Sequence, residues 1–252
     1  MNYNTAMLSL LWVTVLGWIS AAVVNYLADV LPRTRAFSQP ICVNCGTRKS
    51  LLSVLWPIPC DQCGRRGTLR VWIVYITGLA VSHFLWQFPP ERLGYYPGLL
   101  WLLYFGLVTV IDIEHRLILH PVSFVGGMFG LIQGWVLHGL ISTVAGGGAG
   151  FLIMLGFYFL GMLFVRFISK ERGFDEDPIA LGFGDVNLAG IMGLLLGWPG
   201  VLAGLFLAIL LGGFVSGIFL LQRVFRKEYS AFEALPYGPF LVISAIYLLF
   251  IA

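Results

Sequence analysis

The chain has 252 residues, of which 59% are hydrophobic and 11% charged, with a formal net charge of +3. Soluble domains carry roughly 25% charged residues, so a water-facing surface on every side is excluded and lipid must solvate much of the chain. The basic residues do not gather into a nucleic-acid patch, which excludes nucleic acid as the expected partner.

Eight apolar segments read as spanning helices in chain order: Met7–Leu31, Val71–Phe88, Pro97–Ile113, Pro121–Leu140, Thr143–Ile168, Val186–Leu196, Val201–Leu221 and Pro236–Ile251. No Lys or Arg lies in Met1–Thr5, so the first segment reads as a retained span and not a signal peptide. Residues 32–70 form a polar insert, and residues 169–185 and 222–235 form shorter charged connections. Phe88-Pro89-Pro90 and Gly197-Trp198-Pro199-Gly200 read as tight turns, and Gly146-Gly147-Gly148 as a locally flexible helix start. The expected fold is an all-α polytopic membrane protein of about eight transmembrane helices with a small cytoplasmic zinc-binding insert. Its divisions are a first helix (1–31), the insert (32–70) and a transmembrane bundle (71–252).

Loop charge sets the expected orientation. Arg33, Arg35, Arg48, Lys49, Arg65, Arg66, Arg70, Arg116, Arg166, Lys170, Arg172, Arg223, Arg226 and Lys227 fall on one face of the eight-span topology, and Arg92 alone on the other. Cytoplasmic loops collect Lys and Arg, so the insert faces the cytoplasm and both termini face outward.

All four cysteines lie in the insert, as Cys42-Val-Asn-Cys45 and Cys60-Asp-Gln-Cys63. Two CxxC knuckles roughly 15 residues apart match a four-thiolate zinc site. Two disulfides and free thiols are the alternatives, and a cytoplasmic position disfavours disulfides. Gly46 and Gly64 allow each knuckle to turn. A closed four-cysteine site has no open position, so zinc there is structural, and an insert this small needs such a staple.

Ionisable groups within or beside spans are functional candidates. Asp29, His83 and His138 are among them, but Asp112 and Asp185 stand out. Asp112 ends the third span and Asp185 begins the sixth, and the topology places both at the cytoplasmic mouth of the bundle. Two carboxylates sharing a site do not both ionise easily. The ionised member can take a proton from water while the protonated member donates to a scissile carbonyl oxygen. Gly182 and Gly184 would let a substrate backbone approach and permit positive φ before the helix. The competing readings are a helix cap, a solvated boundary charge, or paired acids in a transporter or channel; a different class is a membrane scaffold or transporter whose zinc insert binds a cytoplasmic partner, with the two aspartates apart. Glu114 and His115 are candidates for tuning the pair, and Asn187 for bonding near it, against solvated-turn and helix-packing roles.

With these residues in place, the chain resembles the prepilin peptidase family of intramembrane aspartic proteases. Gly182-Phe-Gly184-Asp185 is similar to its GxGD motif and Asp112-Ile-Glu-His-Arg-Leu-Ile to its first aspartate motif. Leu235-Pro-Tyr-Gly-Pro-Phe240 resembles its closing stretch, Asn25 and Leu31-Pro32 its first-helix motif, and Leu51–Leu55 its linker between knuckles. The resemblance implies Asp112 and Asp185 as the catalytic dyad of an aspartic endopeptidase in the bacterial inner membrane. The implied substrate is the leader of a type IV prepilin or pseudopilin. In many members S-adenosylmethionine then methylates the new N-terminus. The departures lie near the N-terminus: Ala21-Ala22-Val23 and Val30 replace first-helix motif residues, and Tyr75 stands where the family has Glu. Ile118-Leu119-His120-Pro121 replaces an Ile-Pro-Asp stretch. Protease activity is therefore the firmer expectation, and an N-methyltransferase alone is a further alternative.

Overall fold

A computed structural model describes residues 3–42, 44–50, 52–64, 67–172, 182–226 and 236–251. Of the motif and loop residues named above, Val43, Leu51, Arg65, Arg66, Lys227 and Leu235 lie outside these, as do the stretches 173–181 and 227–235 of the two charged connections and the side chains of Lys170, Arg172, Arg223 and Arg226. The elements are α1 (Tyr3–Thr34), α2 (Leu52–Leu55), α3 (Leu69–Gln87), α4 (Tyr95–His115), α5 (His120–His138), α6 (Leu140–Arg172), α7 (Phe183–Leu196), α8 (Gly200–Arg226) and α9 (Gly238–Phe250). The described residues contain no strand, only an isolated antiparallel bridge between Ile41 and Arg48 in the insert.

Each of the eight apolar segments is a helix, and α2 is an added short turn. Five helices are long and apolar enough to cross a membrane on their own: the apolar stretches Met7–Thr34, Leu69–Gln87, Tyr95–His115, Leu140–Phe167 and Gly200–Gln222. The remaining three are α5, diluted by His120, Gln133 and His138, and the short α7 and α9. The protein is a multi-pass membrane protein in which some helices rely on their neighbours.

The chain divides into two compact units, Met1–Ile111 and Asp112–Ala252. The expected boundary at 70/71 falls inside the first unit, because α1 and α3 pack on each other from either side of the insert. Their seam is built of small residues. A Cβ on Gly17 would lie 2.8 Å from Ser82 Cβ, and one on Gly78 would lie 2.9 Å from Ala21 Cβ. Small residues four apart on both helices let the backbones approach, which is how helices associate where apolar burial offers no gain over lipid. The Ser82 hydroxyl donates within this seam to the Val13 carbonyl at 2.8 Å.

The second unit is organised on α7, which packs against α5, α6, α8 and α9. Nine of its residues are buried, from Asp185 to Leu195. A helix apolar all round belongs in an interior, and glycine makes the packing possible here. A Cβ on Gly193 would collide with the Gly146 carbonyl, and one on Gly146 with the Gly193 carbonyl. Gly150 meets the Ala189 carbonyl and Gly134 of α5 meets the Leu194 carbonyl in the same way. The glycine run at 146–148 is therefore not a flexible helix start. It lies within α6, with Gly146 and Gly147 at the surface against which α7 sits.

Candidate active site and metal centre

The insert brings its two knuckles together through backbone turns. The Gly46 amide donates to the Cys42 carbonyl at 2.9 Å and the Gly64 amide to the Cys60 carbonyl at 2.8 Å. Both glycines lie in the left-handed region, at φ 71° and 63°, which glycine enters without steric cost. Beside the first knuckle, Cys42 N–H donates to Thr47 O and Lys49 N–H to Pro40 O, forming a narrow hairpin.

The four sulfurs of Cys42, Cys45, Cys60 and Cys63 lie within 4.8 Å of one another. Cys42 Sγ and Cys63 Sγ are 3.6 Å apart, as are Cys45 Sγ and Cys60 Sγ. A disulfide needs about 2.05 Å, so these are not bonded pairs. Zinc–sulfur bonds of about 2.3 Å in a tetrahedron require sulfur separations of about 3.8 Å. The cluster has the dimensions of a metal site, and it is prepared for thiolates. The Thr47 hydroxyl lies 2.9 Å from Cys45 Sγ and 3.5 Å from Cys60 Sγ. This hydroxyl, with the backbone amides of Cys63 and Gln62, holds the Cys60 thiol down to about 6. It is also the first cause of a lowered Cys45 thiol.

Between the insert, α1 and α3 is a cavity of about 90 Å³, lined by Asn25, Asp29, Lys49, Arg70 and Tyr75 among others. Pockets for drug-sized ligands begin at roughly 300 Å³. Tyr75, at the position where a Glu was expected from the resemblance, instead stacks on Trp18 at 4.3 Å between ring centroids.

In the second unit, Asp112 sits in the last turn of α4 and Asp185 in the first turn of α7. The structure brings them together. They are 5% and 7% exposed, and each lies close enough for the Asp112 charge to act on Asp185. The backbone amide of Gly182, the N-cap of α7, donates to the Asp185 carboxylate. This is the backward-reaching half of a capping box. Asp112 receives the Gly238 amide from the start of α9, and Arg116 adds a charge nearby. Its Oδ2 is nonetheless buried without a hydrogen-bond partner among the described residues.

The positive φ expected of the two glycines of the GxGD stretch is not what they adopt. Gly182 has φ −75° and ψ 140°, an ordinary extended conformation, so positive φ is not its role. Gly184 is needed for space: a Cβ there would fall 2.6 Å from Ile118 Cβ. The same argument applies to Gly238, where a Cβ would fall 2.6 Å from Asp112 Oδ2. Tyr237, just before it, lies within electrostatic reach of Asp185. Ile118, Tyr237 and Gly238 were not singled out from the sequence as parts of the site. The signals available were the motif resemblances ending at Ile118 and spanning Tyr237 and Gly238, neither of which gave these residues a role.

The other flagged groups have structural partners. Asp29 accepts from Arg70 at 2.6 Å, His83 Nδ1 lies 2.9 Å from the Leu79 carbonyl, and His138 Nε2 donates to the Leu195 carbonyl at 3.2 Å. Glu114 and His115 are exposed. Asn187 lines a groove with His120 and Ser123 between α5, α6 and α7, because residues two apart on a helix point in nearly opposite directions.

Residues 98–217 match the family model described as the Type IV leader peptidase family, the family expected from the motifs. The prepilin leader peptidase/N-methyltransferase of Aeromonas salmonicida (strain A449) is 28% identical over 141 residues, covering 54% of this chain and 43% of that protein. The protein of the same name from Aeromonas hydrophila is 29% identical over 142 residues, with the same coverage. The match thus spans less than half the length of these curated relatives. No solved structure matches the chain.

Proposed function

We propose that this chain, whose residues 98–217 fall in the Type IV leader peptidase family, is an intramembrane aspartic endopeptidase. It removes the leader of a type IV prepilin or pseudopilin at the cytoplasmic face of the bacterial inner membrane. The observation that carries this reading is a pair of buried carboxylates, Asp112 and Asp185, supplied by two helices and within reach of each other's charge. Nothing else flagged in the spans is so placed, since Asp29, His83 and His138 are each held by a partner.

The chemistry follows from a pair that holds one proton between them and titrates as a unit. The ionised carboxylate takes a proton from water as that water attacks the scissile carbonyl carbon. The protonated carboxyl donates to the carbonyl oxygen, giving a neutral gem-diol. Breakdown returns a proton to the leaving amine and breaks the carbon–nitrogen bond, with no covalent intermediate. The partnerless Oδ2 of Asp112 is the atom to which the water or the diol would bond. Cys42, Cys45, Cys60 and Cys63 would hold a structural zinc that folds the insert and takes no part in hydrolysis. No methyl-transfer step is assigned to this chain.

The test is cleavage of a prepilin by purified full-length protein in lipid nanodiscs. Asp112→Asn and Asp185→Asn should each reduce cleavage by at least about 10²-fold, the contribution typical of a positioned acid or base, with thermal stability retained. Processing at the original rate by either variant would overturn the reading.

A further inference from the structure

We propose that residues 52–58 of the insert are seated in the interfacial layer of the bilayer, so that the insert lies on the membrane beside α1 and α3. This inference is independent of the peptidase reading.

The segment is apolar and uncovered. Leu52 is 66% exposed, Leu55 46%, Trp56 61% and Ile58 37%, and α2 contains no buried residue. Four consecutive helical residues are too few to hold a helix in water. What holds this one comes from the spans. The indole Nε1 of Trp18 on α1 donates to the Leu55 carbonyl at 2.8 Å. The hydroxyl of Tyr75 on α3 reaches the Leu55 and Val54 carbonyls at 3.3 and 3.4 Å. Backbone carbonyls entering a low-dielectric layer need partners other than water, and these two side chains provide them from within candidate spans.

The surroundings mark the same level. The Trp56 ring lies 5.0 Å from that of Trp18, Trp18 stacks on Tyr75, and the Trp72 ring is 6.4 Å from that of Tyr75. On α3, Trp72 and Tyr75 lie two and five residues past Arg70, which pairs with Asp29, or about 3 and 8 Å along the axis. Charge at the water boundary followed by a belt of Trp and Tyr is the order of groups at a membrane interface. On α3, which holds Tyr75 against this segment, Trp72, Ile73 and Ile76 are exposed as well. The occupant is therefore continuous with the lipid that already covers the spans.

The experiment places a photoreactive benzophenone amino acid at position 56, and separately at 52, in full-length protein reconstituted into phosphatidylcholine vesicles. Position 61, exposed between Cys60 and Cys63, serves as the control. Metal content equal to that of the unmodified protein verifies that each variant is folded. Irradiation should yield phospholipid adducts at 56 and 52 and none at 61, read by mass spectrometry. Crosslinks from 56 to a second copy of the chain would assign the surface to self-association and overturn the proposal. Absence of lipid adducts at both positions in a metal-loaded protein would overturn it as well.

Discussion

Gly238 stands so close to Asp112 that a methyl group on its α-carbon would fall 2.6 Å from the carboxylate Oδ2. An ordinary contact lies near 3.4–4 Å, so Gly238→Ala must push the carboxylate by about 1 Å. Displacements of that size at a reacting group cost about 10²-fold in rate. We expect Gly238→Ala to lower single-turnover prepilin cleavage by about that factor while thermal unfolding in detergent stays near the parent value. Full activity in this variant would show that Asp112 is not held where hydrolysis requires it.

A second prediction separates space from conformation at Gly184. Gly184→Ala should impair cleavage because its Cβ would fall 2.6 Å from Ile118 Cβ. Ile118→Ala keeps that Cβ and should not rescue, whereas Ile118→Gly should restore much of the loss. The double-mutant cycle reads the coupling directly, and purely additive effects would refute the contact as the cause.

Metal content is the third. The full chain should retain about one zinc per molecule and lose it on Cys60→Ser, with a fall in thermal stability. Acid should act in the same direction. The Cys60 thiol titrates near 6 when folded, well below its ordinary value of 9.0. The stabilisation this gives the metal-free insert is fully present above the ordinary value and is lost as pH falls through about 6. Metal uptake should weaken over the same range, because protons compete for the thiolates. Thr47→Val removes the hydroxyl shared by Cys45 and Cys60. Thiolate absorbance near 240 nm in the metal-free chain should then titrate at higher pH, and an unmoved midpoint would remove Thr47 from the account.

The fourth prediction concerns the glycine seam. Gly193→Leu drives a side chain into the Gly146 backbone and should destabilise the second unit by about 3 kcal/mol or more, seen as a lower unfolding temperature. A Cβ on Gly213 of α8 meets nothing within 4 Å, and Gly213→Leu should be close to neutral. Equal responses would mean the seam does not bear on stability.

The helices were legible because lipid imposes a long apolar run on any segment it solvates. That is why all eight segments correspond to helices. The knuckles were legible because zinc ligation has a local spacing, and the aspartates because charge in such surroundings is costly. The parts that were not legible depend on distant neighbours. Gly184 meets Ile118, and Gly238 meets Asp112, across 66 and 126 residues of chain, and nothing in the local pattern at either glycine names its partner. The same holds for Gly146 and Gly193, whose seam made a presumed flexible start into a packing surface. Sequence left Asn187 open between a bond near the dyad and a helix-packing role, and helix geometry sets it in the groove with His120 and Ser123. Only the aromatic environment of the folded insert explains Tyr75.

With 14 residues, α7 measures about 21 Å along its axis, whereas the hydrocarbon layer is about 30 Å thick. The rest of that depth falls to neighbouring helices, a hydrated vestibule or a local thinning of the leaflet. The proposed hydrolysis would consume one water per bond cut, and Asp185 stands in the first turn of this short helix. Where water fills the shortfall, it has a short path to the two carboxylates.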